Sequence, residues 1–208
     1  MKAIIFDVDG TIWDATPVAA KAWNESIQKY SDIKVEVTED ILADLFGKTM
    51  QEINEALFPY MTEAEMLRIA QYCHVYENEL LETEDGLLYD GIRETIETLH
   101  KTHDLYIVSN CQAGYIEVML RANHLGKYFI DHLCWGDTNQ EKSYTIRKLM
   151  DRNNLTEAVY IGDTKGDADA CAAVGIPFVF AAYGFGQVED AKWIIEKPTD
   201  LIELIKDF

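Results

Sequence analysis

Long apolar runs are missing from this sequence of 208 residues. No stretch approaches the about 20 apolar residues that a membrane-spanning helix needs, so we predict no transmembrane segment. At the N-terminus, Lys2 is followed by only four apolar residues before Asp7. That run is too short for the apolar region of a secretory signal peptide. We therefore expect neither a signal peptide nor a membrane partner.

Cysteines are few and widely spaced. The four, Cys73, Cys111, Cys134 and Cys171, form no C-x-x-C pair, which argues against a zinc site. Each has apolar neighbours, as is typical of small buried side chains. Because disulfides persist mainly in oxidising compartments, we expect reduced cysteines and a cytoplasmic location.

Positive charge is also scarce. The chain has 18 Lys and Arg residues against 37 Asp and Glu residues, which gives a formal net charge of -19. This charge repels nucleic acids and anionic membranes, so neither is expected as a partner. A small anionic substrate would be repelled too, unless a metal ion and a few lysines reverse the field locally.

Short apolar segments that alternate with helical patterns make up most of the chain. Five apolar runs predict buried strands, at residues 3–6, 105–109, 132–135, 158–161 and 177–181. Helical patterns lie between them, with apolar residues three or four positions apart at residues 91–101 and 144–152. This alternation predicts an α/β fold, in which a Rossmann-like parallel five-stranded sheet is sandwiched by helices.

Residues 16–86 interrupt this alternation. Four consecutive segments have helical patterns and no convincing strand between them, at residues 19–30, 38–45, 49–58 and 62–81. We therefore predict an inserted α-helical bundle that forms a cap domain of residues 16–86. The α/β core domain would consist of residues 1–15 and 87–208.

Two carboxylates, Asp7 and Asp9, directly follow the first predicted strand. In a parallel sheet, ligands bind beyond the carboxyl ends of the strands. Residues two apart in an extended chain point the same way, and two carboxylates at one place are unfavourable without a cation or a proton. A helix N-cap is the simpler alternative, but one Asp would suffice for it. The spacing does not fit an EF-hand calcium loop.

The other predicted strand ends carry further polar residues. The second ends at Ser109 and Asn110, and the fourth is followed by Asp163 and Asp167. Lys142 follows the third. Each residue alone fits a turn, a helix start or a surface lysine. Together, carboxylates that suit Mg²⁺, a lysine and hydroxyl or amide donors are what phosphoryl transfer requires.

The segments "DVDGT", "VSN" and "GDTKGD", with Lys142 between the last two, resemble the four signature motifs of the haloacid-dehalogenase-like (HAD) superfamily. The helical insert after the first motif resembles the cap of its phosphoglycolate-phosphatase-like branch. The resemblance covers essentially the whole chain. It implies a HAD-like phosphoric monoester hydrolase that acts on a small phosphorylated metabolite and requires Mg²⁺.

The resemblance also implies a role for each motif residue. Asp7 would be the nucleophile, and Asp9 the general acid and base. Mg²⁺ would be held by Asp7, the backbone carbonyl of Asp9 and Asp163, with Asp167 orienting waters or Lys142. The residues expected to bind the phosphoryl group are Gly10, Thr11, Ser109, Asn110 and Lys142.

Departures from the family pattern leave alternatives open. Ser143 follows Lys142 where the family often has Pro, and Ala19 stands where the sugar-phosphate mutases of the branch carry a cap His. The missing cap His argues against a mutase of the β-phosphoglucomutase type, which is kept as an alternative to the phosphatase, as is a non-catalytic binding or regulatory protein. Phosphoglycolate is the best single substrate guess, by resemblance only, and the chain would be a monomer or homodimer.

The segment "LFGKTM" at residues 45–50 resembles the family's substrate-specificity loop. Lys48 and Thr49 in it are candidates for substrate selectivity. Thr49 as the N-cap of the following helix, with Lys48 a helix-start residue, is an equally good interpretation.

Overall fold

The structure is a computed structural model that describes residues 3–84 and 86–208. The parts of the predicted domain ranges that fall on Met1, Lys2 and Asp85 lie outside the described residues. Within the described residues, no helix combines the length and the apolar character needed to cross a membrane.

The strands are short, and the helices account for most of the regular secondary structure. The strands are β1 (Ala3–Phe6), β2 (Trp13–Asp14), β3 (Leu87–Leu88), β4 (Asp104–Ser109), β5 (Phe129–Cys134), β6 (Ala158–Gly162), β7 (Phe178–Ala181) and β8 (Ile194–Ile195). The α-helices are α1 (Thr16–Tyr30), α2 (Glu39–Leu45), α3 (Met50–Leu57), α4 (Glu63–Leu81), α5 (Ile92–Leu99), α6 (Tyr115–Ala122), α7 (Trp135–Thr138), α8 (Lys142–Arg152), α9 (Lys165–Val174) and α10 (Asp200–Leu204). Two 3₁₀ turns, Gly126–Tyr128 and Ile205–Asp207, complete the described elements.

The main sheet has six strands in the described chain, in the order β5-β4-β1-β6-β7-β8, and all of its pairs are parallel. The α/β prediction and its five strands are confirmed. The additional strand β8 has two residues, which is too short to produce a recognisable pattern. The third strand was predicted at residues 132–135 but ends at Cys134, because Trp135 begins α7.

Strand β1 lies in the middle of the sheet and positions the candidate site. Its last residue, Phe6, pairs with Ile107 of β4 on one side and with Ile161 of β6 on the other. The chain runs outward from β1 in both directions, so the strand order reverses here and opens a crevice at the carboxyl ends. The motifs that follow β1, β4 and β6 therefore lie side by side at the carboxyl edge of the sheet.

The sheet is covered on both faces by apolar side chains. Alternate residues of β1 face opposite ways: Ile5 packs in one cluster with residues of α8 and α9, while Phe6 packs in the other. This second cluster also contains Trp23 of α1 and Ile53 of α3. The helices of the insert thus share a continuous apolar core with one face of the sheet.

The insert is helical, as the sequence predicts. The chain enters it after β2 and leaves it before β3, and these two strands pair antiparallel, Trp13 with Leu88 and Asp14 with Leu87. The Asp14 carboxylate accepts hydrogen bonds from the Thr16 N–H at 2.9 Å and the Thr16 hydroxyl at 2.6 Å. Asp14 therefore fixes the start of α1. The division of the chain into a cap domain and a core domain stays a prediction.

Candidate functional site

Asp7 and Asp9 lie at the carboxyl end of β1 and are almost completely buried, at 1% and 9% exposure. The Asp7 N–H donates to the Ile161 carbonyl at 2.8 Å, which continues the sheet ladder into the site. Burial raises the pKa of Asp7 to about 6. The two carboxylates thus lie together at this strand end, as expected from the sequence. Because both are buried, they need a nearby cation when both are ionised.

Asp9 is held by two donors from its own surroundings. The Trp13 indole N–H donates to Asp9 Oδ1 at 3.1 Å, and the Tyr115 hydroxyl donates to the same oxygen at 2.6 Å. Burial raises the pKa of Asp9 well above its usual value, although the Tyr115 hydrogen bond acts against it. Asp9 is therefore fixed in orientation and disposed to hold a proton, which suits a general acid.

Lys142 lies between two carboxylates. Its Nζ is 3.2 Å from Asp7 Oδ1 and 2.5 Å from Asp167 Oδ1. Burial alone would lower the pKa of Lys142, but the negative charges of Asp167 and Asp7 outweigh it and hold the pKa above its usual value. Lys148 on the same helix is exposed. The structure therefore brings Lys142 to the site although Ser143 stands where the family often has Pro.

Asp163 has one oxygen engaged and one free. Its Oδ2 accepts the backbone N–H groups of Phe185 at 2.8 Å and Gly186 at 3.3 Å, whereas its Oδ1 is buried without a hydrogen-bond partner. Burial, then the charges of Asp167 and Asp7, raises the pKa of Asp163 to about 8. A buried carboxylate oxygen without a partner is unfavourable unless a cation binds it.

The site residues fit a divalent metal ion. One carboxylate oxygen from each of Asp7, Asp163 and Asp167 lies within 4.8 Å of the others, and an all-oxygen set of this kind suits Mg²⁺. Asp167 is already engaged: Lys142 contacts its Oδ1, while the Thr164 N–H and hydroxyl donate to its Oδ2 at 3.0 and 2.7 Å. Asp7 and Asp163 therefore offer the freer oxygens.

Gly10 is packed against Asp163 so closely that a larger residue would not fit. Its φ is +76°, and a Cβ atom there would lie 2.1 Å from Asp163 Oδ2. The segment "YGFGQ" at residues 183–187 closes over the same carboxylate through Phe185 and Gly186. Thr11 is fully buried, and its hydroxyl has no hydrogen-bond partner in the described structure.

Ser109 and Asn110 lie at the carboxyl end of β4, next to Asp7 and Asp9 in the lining of a narrow cavity. Ser109 is buried. The Asn110 side-chain amide donates to the Gly47 carbonyl at 2.8 Å, so it ties the insert to the sheet edge. The cavity has about 20 Å³ of free space, enough for about one or two water molecules. The structure is therefore closed over the site.

The two selectivity candidates have different surroundings. Lys48 is exposed, and it lines both the narrow cavity and an adjoining cleft of about 600 Å³. Thr49 is the N-cap of α3: the Glu52 N–H donates to its hydroxyl oxygen at 3.3 Å, and its own N–H donates to Glu52 Oε2 at 2.8 Å. A capping role thus accounts for Thr49, whereas Lys48 is available to a ligand.

Sequence reasoning missed two polar residues of the cavity, Tyr115 and Glu77. Glu77 of α4 is 3% exposed and accepts a hydrogen bond from the Trp23 indole N–H at 2.8 Å. A signal was present, because Glu77 falls on the buried face of α4 with Cys73 and Leu80. Tyr115 follows the second motif by a few residues and gave no comparable signal.

Comparisons with known proteins agree with this fold. The family model "Haloacid dehalogenase-like hydrolase" matches residues 4–181. The chain therefore belongs to the haloacid dehalogenase-like hydrolases, as the motifs predict.

Individual relatives are distant but cover nearly the whole chain. A phosphoglycolate phosphatase of Vibrio parahaemolyticus is 26% identical, over 99% of this chain and 96% of its own. The pyrophosphatase PpaX of Listeria innocua is 25% identical, over 100% of this chain and 97% of its own. The phosphoglycolate-phosphatase-like branch is thereby confirmed.

A solved structure shows the same fold. The crystal structure of a predicted phosphoglycolate phosphatase from Haemophilus somnus superposes with a TM-score of 0.84 at 20% identity, covering 99% of this chain and 98% of that one. The α/β sheet with its helical insert is therefore an established arrangement.

Proposed function

We propose that the protein is a Mg²⁺-dependent phosphatase that hydrolyses a small phosphate monoester through an aspartyl-phosphate. One observation carries the proposal: Asp7, Asp163 and Asp167 converge beside Lys142, and Asp163 Oδ1 is buried without a partner. This arrangement provides a nucleophile, a cation site and a fixed positive charge at one place. The names of the two curated relatives support a phosphate-ester or phosphoanhydride substrate.

Asp7 and Asp9 divide the chemistry. Asp7 attacks the phosphorus, the ester bond to the alcohol breaks, and Asp9 gives its proton to the departing alkoxide. Water then attacks the phosphorus of the aspartyl-phosphate while Asp9 takes a proton from it. This second step releases inorganic phosphate and restores both carboxyl groups. The hydrogen bonds from Trp13 and Tyr115 hold Asp9 in position for both transfers.

The remaining motif residues bind charge. Lys142, Ser109 and the Asn110 backbone amide bind the phosphoryl oxygens, with Gly10 and Thr11 shaping the loop beside them. Mg²⁺, when bound by Asp7, the Asp9 carbonyl and Asp163, neutralises charge that develops on the phosphoryl group. Asp167 orients Lys142. The helical insert at residues 16–86 acts as a cap that excludes water from the closed site.

Hydrolysis is favoured over mutase chemistry. At the position where the mutases of the branch carry a cap His, Ala19 is fully buried and has no group that moves a proton. Asp9 is then the acid and base of the reaction, and water is the acceptor of the phosphoryl group.

The proposal is tested with p-nitrophenyl phosphate, a generic aryl phosphate. We expect hydrolysis that requires Mg²⁺ and that falls on the order of 10³-fold or more in Asp7→Asn. Asp169→Asn is the matched control, because Asp169 is exposed and pairs only with Lys165 in the described structure. Turnover in the presence of a chelator, or an active Asp7→Asn enzyme, would contradict the proposal.

A further inference from the structure

Glu77 places a third carboxylate in the closed cavity, on the side of the insert. The cavity is lined by Asp7 and Asp9 from the sheet edge and by Glu77 and Trp23 from the helical insert. Glu77 thus faces the region where the alcohol part of a phosphate monoester must lie, because Asp9 has to reach the ester oxygen. The proposed function gives Glu77 no role.

The Glu77 carboxylate has hydrogen-bond partners but no positively charged partner in the described structure. The Trp23 indole N–H donates to its Oε2 at 2.8 Å, and Glu77 forms no ion pair in the described chain. Lys48 is the one cation among the described residues that line the cavity, and it is exposed at the rim. Burial raises the pKa of Glu77 to about 7, despite its hydrogen bonds from Trp23 and Gln112.

The negative charges in the cavity influence one another. After burial and the Tyr115 hydrogen bond, the charges of Asp7 and Glu77 contribute to the raised pKa of Asp9. A leaving group with its own carboxylate would add a further negative charge beside Glu77, in a space with little water to screen it. A hydroxyl or ammonium group would instead give the Glu77 carboxylate a further hydrogen-bond donor, beside those of Trp23 and Gln112.

We propose that Glu77 determines the substrate class, selecting phosphate monoesters whose alcohol carries a hydroxyl or ammonium donor and disfavouring those whose alcohol carries a carboxylate. This inference rests on the proposed function and narrows it. It differs from the phosphoglycolate suggested by resemblance, because glycolate is a carboxylate-bearing leaving group. Discrimination arises because two like charges repel strongly where little water screens them, whereas an added donor stabilises the ionised Glu77 carboxylate.

The test compares four substrates at mildly alkaline pH, where Glu77 is mostly ionised, with Mg²⁺ present. They are glycerol 1-phosphate, phosphoethanolamine, 2-phosphoglycolate and p-nitrophenyl phosphate. For the wild type, kcat/KM should be higher for the first two than for 2-phosphoglycolate. In Glu77→Gln this ratio should fall at least about tenfold, while p-nitrophenyl phosphate hydrolysis is retained. Gln still accepts the Trp23 hydrogen bond, so the cavity should keep its shape.

The matched control is Glu79→Gln, which makes the same charge change on the exposed face of α4. Its substrate ratio should equal that of the wild type, and both variants should be folded, as a single cooperative thermal unfolding transition would show. A wild type that prefers 2-phosphoglycolate, or a ratio unchanged in Glu77→Gln, would overturn the proposal for Glu77. A wild type that fails to hydrolyse even p-nitrophenyl phosphate would overturn the proposed function, and the Glu77 proposal with it.

Discussion

At the scale of single residues, Lys142 provides the charge balance of the site. It is 5% exposed and lies within 3.2 Å of Asp7 and 2.5 Å of Asp167. Two buried carboxylates close to each other repel, and the positive charge of the lysine between them offsets that repulsion. Removing the lysine would leave both carboxylates buried and unpaired. The free energy of unfolding should therefore depend on this one side chain.

We predict that Lys142→Met lowers the free energy of unfolding by about 3–5 kcal/mol in metal-free buffer at neutral pH, because it leaves buried charges unpaired. Urea-induced unfolding measures this change. Lys148→Met is the matched control on the same helix; since Lys148 is exposed, its effect should stay within about 0.5 kcal/mol. Equal effects of the two variants would show that the buried contacts of Lys142 contribute nothing.

The sequence predicts the positions of these residues but not all of their partners. Asp7, Ser109 and Asp163 follow apolar runs that become neighbouring strands, so their convergence is a consequence of parallel pairing. Glu77 and Tyr115 come from helices whose approach depends on how the insert packs on the sheet. Local patterns carry no information on that packing, and the cavity that these helices complete could not be predicted.

At the scale of elements, the turn between α2 and α3 closes the site. Gly47 has a φ of +88°, and a Cβ atom there would lie 2.7 Å from Thr164 Cγ2. Its carbonyl accepts the hydrogen bond from Asn110. The turn therefore approaches both the second and the fourth motif, and only a residue without a side chain fits between them.

We predict that Gly47→Ala lowers kcat/KM at least about tenfold for every substrate, because the turn can no longer close in its present conformation. Gly175→Ala is the matched control: its φ is +84°, but nothing lies within 4 Å of the added atom. Both variants should lose about 1–2 kcal/mol of unfolding free energy, because each places a Cβ atom in the left-handed region, and steady-state kinetics should separate them. Unchanged kinetics in Gly47→Ala would mean that closure does not involve this turn.

Elements of moderate length were predictable, and the shortest were not. The apolar runs of β1, β4, β6 and β7 and the four helices of the insert are recognised from the sequence to within a few residues. Strands β2, β3 and β8 have two residues each. No period is visible over two residues, so pairing with a neighbouring strand alone defines them.

At the scale of the whole molecule, buried acids make the free energy of unfolding depend on pH. Burial raises the pKa of Asp7 to about 6, of Glu77 to about 7 and of Asp163 to about 8, against ordinary values of 3.8, 4.5 and 3.8. The folded, metal-free protein therefore holds more protons than the unfolded chain between about pH 4 and 8. Its free energy of unfolding must fall as the pH rises through that window.

We predict that, in the presence of a chelator, the unfolding temperature is lower at pH 8 than at pH 5, because these carboxyl groups must lose their protons inside the fold. Added Mg²⁺ should raise the unfolding temperature more at pH 8, where its ligands are ionised. Calorimetry at both pH values, with and without Mg²⁺, measures this. An unfolding temperature that rises with pH in the chelator would contradict the raised pKa values.

The antiparallel pairing of β2 with β3 has a consequence for how this architecture varies. Because Asp14 lies opposite Leu87, the whole helical insert is, in topological terms, the loop of a β-hairpin. A hairpin accepts loops of very different length without a change in its strands. Residues 15–86 could therefore be exchanged for another module, or reduced to a tight turn, with the strand order preserved. Selectivity and catalysis would then reside in separable parts of one chain, connected through the paired strands β2 and β3.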